Sequence, residues 1–258
     1  MFIIKLGGSV ITNKSRENSF KREIANRLSA ELKKANKKSI IIHGAGSYGH
    51  ILAEKYNLNN GFESDEQLHG FSLTHAMVQK LNSLVMDSLH ENDISAVSIP
   101  PHCILELNDH KPHKINISIF KDYIDLGFTP VTFGDVVLDK KLGFSICSGD
   151  LLIQLLSEHF RPDKAVFVID VDGLFTSNPK IDENAKLIDK VSLKELLDLS
   201  TDLDSHADVT GGMGGKLVSI KKISELGIDT VLLNGNKPER LYKLLVGENT
   251  ISTIVFGD

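Results

Sequence analysis

Four glycine-bearing turns carry the residues of this sequence that can do chemistry: KLGGS at 5–9, HGAGSYGH at 43–50, CSGD at 147–150 and TGGMGGK at 210–216. Glycines at such points let backbone N–H groups close on an anion, and a helix that starts there adds the positive end of its dipole. Lys5 stands two residues before Gly7, and Lys216 follows Gly214 and Gly215. Two lysines and several backbone donors suit a transferring phosphoryl group, which needs charge neutralisation and close donors more than covalent chemistry. Asp150 can order the lysines by ion pairing. The setting of Lys5, between FII and LGG, speaks against a plain surface charge.

Two other readings of the glycines fail on spacing. GAGSYG, through Gly44, Gly46 and Gly49, matches G-x-G-x-x-G. A dinucleotide site also needs an acidic residue about twenty positions on, at the end of the next strand. Glu63, Asp65 and Glu66 fall near that distance, but in a polar stretch with no strand before them. GGMGGK resembles a P-loop, yet Thr210 stands where the first glycine belongs and Leu217 follows Lys216. The hydroxyl that would hold Mg²⁺ in that motif is missing.

Turns of this kind need a scaffold that lines them up along one edge, and strands alternate with helices along the chain. FIIKL, SIIIH, AVSIP and KAVFVIDVDG read as strands, as do TVLLNG and STIVF near the end. TPVTFGDVVLD and LGFSI read as a hairpin around DKK. KREIANRLSAELKKA, SLTHAMVQKLNSLVMDSLHEN, NISIFKDYIDLG, GDLLIQLLSEHF, SLKELLDLS, GKLVSIKKISELG and KPERLYKLLVG carry apolar residues at helical spacing. The polar stretch 57–70 is expected to be a loop or lid, and PPHCILELNDHKPHK a solvated loop rather than a metal site, despite His102, His110 and His113. The alternation predicts an α/β chain with a mainly parallel sheet covered by helices on both faces. Ligands of such sheets sit beyond the carboxyl ends of the strands.

Composition narrows the class. The chain has 258 residues, 41% hydrophobic and 24% charged, with a net charge of −5 and no clustered basic face, so nucleic acid is not an expected partner. The two cysteines, Cys103 and Cys147, form no metal or C-x-x-C spacing. MFIIKLGGSVIT is broken by Lys5 and two glycines, so neither a signal peptide nor a membrane span is expected. A cytoplasmic enzyme is the expectation.

Taken together, Lys5, Gly7, Gly8 and Ser9, the second glycine loop, Ser148–Gly149–Asp150, DVDGLFTSNP at 170–179 and GGMGGK at 211–216 resemble the amino acid kinase superfamily, in order and over essentially the whole chain. The resemblance implies a single αβα sandwich, residues 1–258, with the acceptor on the N-terminal half and ATP on the C-terminal half. Lys14 in SVITNK, His50 closing HGAGSYGH, and DVTGGMGGK resemble the isopentenyl phosphate kinases within that superfamily. That implies Lys5 and Lys14 on the ATP phosphates and the moving group, with Gly7, Gly8, Ser9, Gly212, Gly215 and Lys216 on the ATP phosphates. Asp170, Gly173, Asn178 and Pro179 would border the nucleoside. Ala45, Gly46, Gly49 and His50, with Ser148 and Gly149, would hold the acceptor phosphate, and Asp150 would organise the lysines. Ala45 departs from a third glycine common in that family. Mg²⁺ is expected to arrive with ATP, with no protein metal site, and the family implies a homodimer.

Leu68, Phe71, Met77, Val78 and Leu81 are candidates for an isoprenoid pocket or for plain core, and His75 for its edge. The rival acceptor is a phosphonate, as in a fosfomycin-kinase-like enzyme. UMP and acetylglutamate kinases fit the fold but not His50. A regulatory ATP-binding module would be expected to lose Lys5 or Lys216.

Overall fold

Runs such as FII, SIII and AVFVI, apolar at every position, form strands only where both faces are covered. The computed structural model describes residues 1–13, 16–177, 179, 181–196 and 213–257, and in it these runs form the middle of an eight-stranded sheet. The strands of that sheet are β1 (Phe2–Leu6), β2 (Ser39–His43), β3 (Ala96–Ser98), β6 (Thr129–Phe133), β9 (Lys164–Ile169), β12 (Lys190–Val191), β13 (Thr230–Asn234) and β14 (Thr253–Val255). Their order is β12-β14-β13-β9-β1-β2-β6-β3. All neighbours are parallel except β13 and β14.

Helices cover both faces. On one, Ile3, Ile40, Ile42 and Phe167 pack with α5 (Ser118–Asp125), α6 (Gly149–Phe160) and α7 (Met213–Ser224) through Phe120, Leu152, Leu156, Ile220 and Ile223. On the other, Ile4, Leu6, Ile41 and Val166 meet α2 (Arg22–Ala35), α4 (Asp65–His90) and α8 (Arg240–Val246) through Leu28, Leu81, Val85 and Leu241. This is the αβα sandwich that the alternation predicts, with one sheet built from both halves of the chain. Short helices α1 (Gly8–Ile11) and α3 (Gly46–Lys55) follow β1 and β2 directly. A two-stranded ribbon, β10 (Leu174–Phe175) with β11 (Leu187–Ile188), follows β9. The helix expected in SLKELLDLS begins at 193, and its continuation past 196 lies outside the described residues.

Two expected loops turn out to be structured. Residues 57–70 contain the start of α4, because the Gln67 side chain accepts the Ser64 N–H at 3.1 Å and caps the helix seven residues earlier than the apolar period suggests. Leu58 in the same stretch is fully buried against Ala53, Val136 and Phe144. PPHCILELNDHKPHK forms a 3₁₀ turn (Pro101–Cys103) and a hairpin of β4 (Leu105–Asn108) and β5 (Lys111–Ile115). Leu105 and Leu107 alternate inward from β4. The turn residues Asp109 and His110 both have positive φ, 55° and 63°, as a type I′ turn requires. Asp139 stabilises that turn by accepting the Asp109 and His110 N–H groups, each at 2.9 Å. With β7 (Asp135–Asp139) and β8 (Gly143–Cys147), the expected DKK hairpin, these strands make a second sheet of order β5-β4-β7-β8.

Candidate active site

The parallel ladder continues for one residue beyond the strands and so stacks the glycine turns side by side. Gly7 N–H donates to Val168 at 2.8 Å, Gly44 N–H to Leu6 at 3.0 Å, and Gly134 N–H to His43 at 3.0 Å. The turns after β9, β1, β2 and β6 therefore share one edge. Thr12 links two of them: its Oγ1 donates to the Gly8 carbonyl at 2.7 Å and accepts the Ser47 N–H at 3.1 Å. Sequence reading passed over Thr12, since a threonine after an apolar pair carries no distinctive signal.

A cavity of about 430 Å³ opens along this edge. Its polar part is lined by Lys5, Gly7, Gly8, Ser9, Gly44–Ser47, Gly49, His50, Ser148–Asp150 and Lys216. Its apolar part is lined by Ile51, Ala53, Val78, Val136 and Ile146. Two helices of useful length, α3 and α6, begin at the cavity, so their unpaired N–H groups and dipole ends face it. Ser148 caps α6 by accepting the Leu151 N–H at 3.1 Å.

Lys5 is only 5% exposed, and its Nζ lies 2.5 Å from Asp150 Oδ1. Burial lowers its pKa to about 8; Asp150 opposes that shift and Lys216 adds to it. The two lysines are thus close enough to repel, and an anion between them would relieve the repulsion. Gly149 leaves room for this arrangement, since a Cβ there would stand 3.0 Å from Lys5 Cε.

The two histidines of HGAGSYGH have different surroundings. His43 is fully buried, with its ring stacked on Phe133 at 5.1 Å and Nε2 3.2 Å from Asn82 Oδ1. Burial drives its pKa down to about 4, so it is a neutral core residue. His50 lines the cavity and is exposed, one turn into α3. Ala45 is accommodated easily: it caps α3 with ordinary helical angles, φ −66° and ψ −21°, while Gly46 takes the positive φ of 52°. Gly49 is required beside that methyl, because a Cβ on Gly49 would sit 2.6 Å from Ala45 Cβ.

Other sequence candidates lie elsewhere. Asp170 and Gly173 follow β9 and do not line the cavity. At Gly173 a Cβ would meet Thr253 Oγ1 at 2.3 Å, which ties β10 to β14. Pro179 is exposed, and Gly215 lies in the first turn of α7, where an added Cβ would meet nothing within 4 Å among the described residues. Lys14, Asn178 and Gly212 lie outside the described residues. Asp172 of DVDG is held by Asn234 and Arg240, each at 2.8 Å. Of the five apolar candidates, Val78 reaches the cavity, Met77 and Leu81 belong to the core, and Leu68 is exposed. Phe71 lies one layer back, tilted against Phe144 at 5.2 Å in the cluster that backs Ala53, Val136 and Ile146. Asp135, Val136 and Ile146, which complete the apolar wall, looked in sequence like ordinary hairpin residues.

Residues 1–234 match the model of the amino acid kinase family. An isopentenyl phosphate kinase of Methanothermobacter thermautotrophicus is 39% identical over 100% of this chain and 99% of its own length. A solved isopentenyl phosphate kinase structure superimposes with a TM-score of 0.87 at 35% identity, covering 99% of both chains. The product complex of the Thermoplasma acidophilum isopentenyl phosphate kinase superimposes with a TM-score of 0.82 at 28% identity, covering 99% of both chains.

Proposed function

The chain belongs to the amino acid kinase family and, within it, to the isopentenyl phosphate kinases, and we propose from this and from its cavity that it transfers the γ-phosphoryl group of ATP to isopentenyl phosphate. One observation carries the reading: a single cavity joins a lysine- and glycine-lined anion site to an apolar compartment. A phosphate monoester with a short hydrocarbon tail needs both.

The acceptor's own phosphate oxygen is the nucleophile and is ionised near neutral pH, so no general base is required. Lys5 and Lys216 neutralise the charge that spreads over the moving group, and α3 and α6 direct backbone donors at it. Asp150 holds Lys5 in place by their ion pair. His50, with the backbone of Ala45, Gly46 and Gly49, holds the acceptor phosphate; Ser148 and Gly149 complete the cradle. Val78, Val136 and Ile146 receive the tail. Gly7, Gly8, Ser9, Gly212, Gly215 and Lys216 meet the ATP phosphates in this proposal, Lys14 joins Lys5 on those phosphates and the moving group, and Asp170, Gly173, Asn178 and Pro179 border the nucleoside; of these, Lys14, Asn178 and Gly212 are not among the described residues. Mg²⁺ enters on the ATP phosphates: Asp150, the carboxylate beside Lys5, is ion-paired and offers no ligand set.

A homodimer in the cytoplasm belongs to the same proposal. It rests on the family, and the unpaired Cys103 and Cys147 suit a reducing compartment. Among the described residues no helix is long and apolar enough to cross a membrane. Light scattering of the purified chain tests the dimer.

The reaction is tested by ATP turnover with isopentenyl phosphate, a small alkylphosphonate, UMP and N-acetylglutamate. Isopentenyl phosphate should give by far the highest kcat/KM. Preference for the phosphonate would replace this reading with the alternative one, which the full-length relatives do not favour.

A further inference from the structure

We propose that His75, His102 and Asp135 form a binding site for a divalent transition metal ion of the zinc type, which shares Asp135 with the wall of the cavity. The three come from separate parts of the fold: α4, the 3₁₀ turn before β4, and the first residue of β7. His75 Nδ1 lies 2.8 Å and His102 Nδ1 3.7 Å from the same oxygen, Asp135 Oδ2. One ligand atom from each residue lies within 4.8 Å of the others, and the two rings meet edge to face at 4.4 Å. Zinc binds imidazole nitrogen and carboxylate oxygen at roughly 2.0–2.2 Å. Small side-chain rotations therefore bring all three atoms onto one ion.

Burial and charge favour a cation there. The Asp135 side chain is fully enclosed, whereas those of His75 and His102 are 29% and 34% exposed. The carboxylate forms the floor and the imidazoles form the entrance. Asp135 Oδ1 accepts the Val136 N–H at 2.8 Å, which aims Oδ2 at the rings. Two imidazoles and one carboxylate suit Zn²⁺ or Co²⁺ better than Mg²⁺ or Ca²⁺, and three protein ligands leave a position for water. A bound ion ties α4 to the hairpin wall. Asp135 and Val136 also line the cavity, so occupancy would stiffen the surface that meets the acceptor tail.

The full chain, stripped with chelator and titrated with Co²⁺, should bind one ion with visible absorption bands, lose them to Zn²⁺, and gain a few degrees in Tm. His75→Ala, His102→Ala and the shape-conserving His102→Gln should each weaken Co²⁺ binding at least tenfold. His113→Ala, on the exposed strand β5, should leave it unchanged. Absence of stoichiometric binding, or binding that survives in folded His102→Gln, overturns the proposal; the second result assigns the ion to other histidines.

Discussion

A Cβ placed on Gly8 would lie 2.6 Å from the Gly46 nitrogen, so the turns after β1 and β2 meet backbone to backbone. Neither side can yield as a flexible side chain would. Gly8→Ala should therefore force the two turns apart, lowering stability by about 1–3 kcal/mol, as overpacking does. It should also lower kcat/KM for both substrates. Urea denaturation and steady-state kinetics check this; a variant with normal stability and rate would show that the turns are not held in register.

Lys5 is a buried cation whose main value is to the reaction. Lys5→Met should lose on the order of a hundredfold or more in kcat, because a contact to the transferring group disappears. The stability effect depends on pH. In the folded chain Lys5 titrates at about 8, below its ordinary value of 10.5. The unfolded chain holds that proton over the interval between the two values, so folding strengthens as pH rises from 8 toward 10.5. Wild type should gain stability relative to Lys5→Met over that window. Denaturation at pH 7.5 and pH 10 measures the gap; wild type losing ground would contradict the burial argument.

His50 belongs to the acceptor side. His50→Ala should cost roughly 1.5–3 kcal/mol, about 10- to 150-fold in kcat/KM for isopentenyl phosphate, as a lost charge-assisted hydrogen bond does. KM for ATP should move little, and His50→Gln should recover part of the loss. Weakened ATP binding with an unaffected acceptor would exchange the two halves of the site.

The apolar wall should set acceptor length. Val78→Ala and Ile146→Ala remove methyl or methylene groups that line the cavity. At roughly 0.8 kcal/mol per buried CH₂, each should improve kcat/KM for a longer prenyl phosphate severalfold relative to isopentenyl phosphate. Phe71→Ala, one layer behind the wall, should act more weakly. An unchanged length profile in both folded wall variants would move the tail elsewhere.

What the sequence alone determined was local and periodic. Uninterrupted apolar runs required strands covered on both faces, and glycines at their ends required tight turns. Lys5, between an apolar run and two glycines at a strand end, read against a plain surface charge and for a lysine that meets phosphate. HGAGSYGH could also be read as an anion loop, because its meaning lies in neighbours along the chain. What only the tertiary structure decided were contacts between distant segments. Two histidines in one short motif differ because β2 buries His43 between sheet and helix while α3 carries His50 to the cavity. The hairpin at 105–115 was hidden because its turn has no glycine; Asp139, thirty residues from Asp109, supplies the hydrogen bonds that support it. His102, grouped in sequence with His110 and His113, is brought instead to His75 and Asp135. The apolar wall joined Val78, one of several pocket candidates on α4, to Val136 and Ile146, which had read only as hairpin residues. Periodicity reports which face of an element is buried, and only packing decides what that face is buried against.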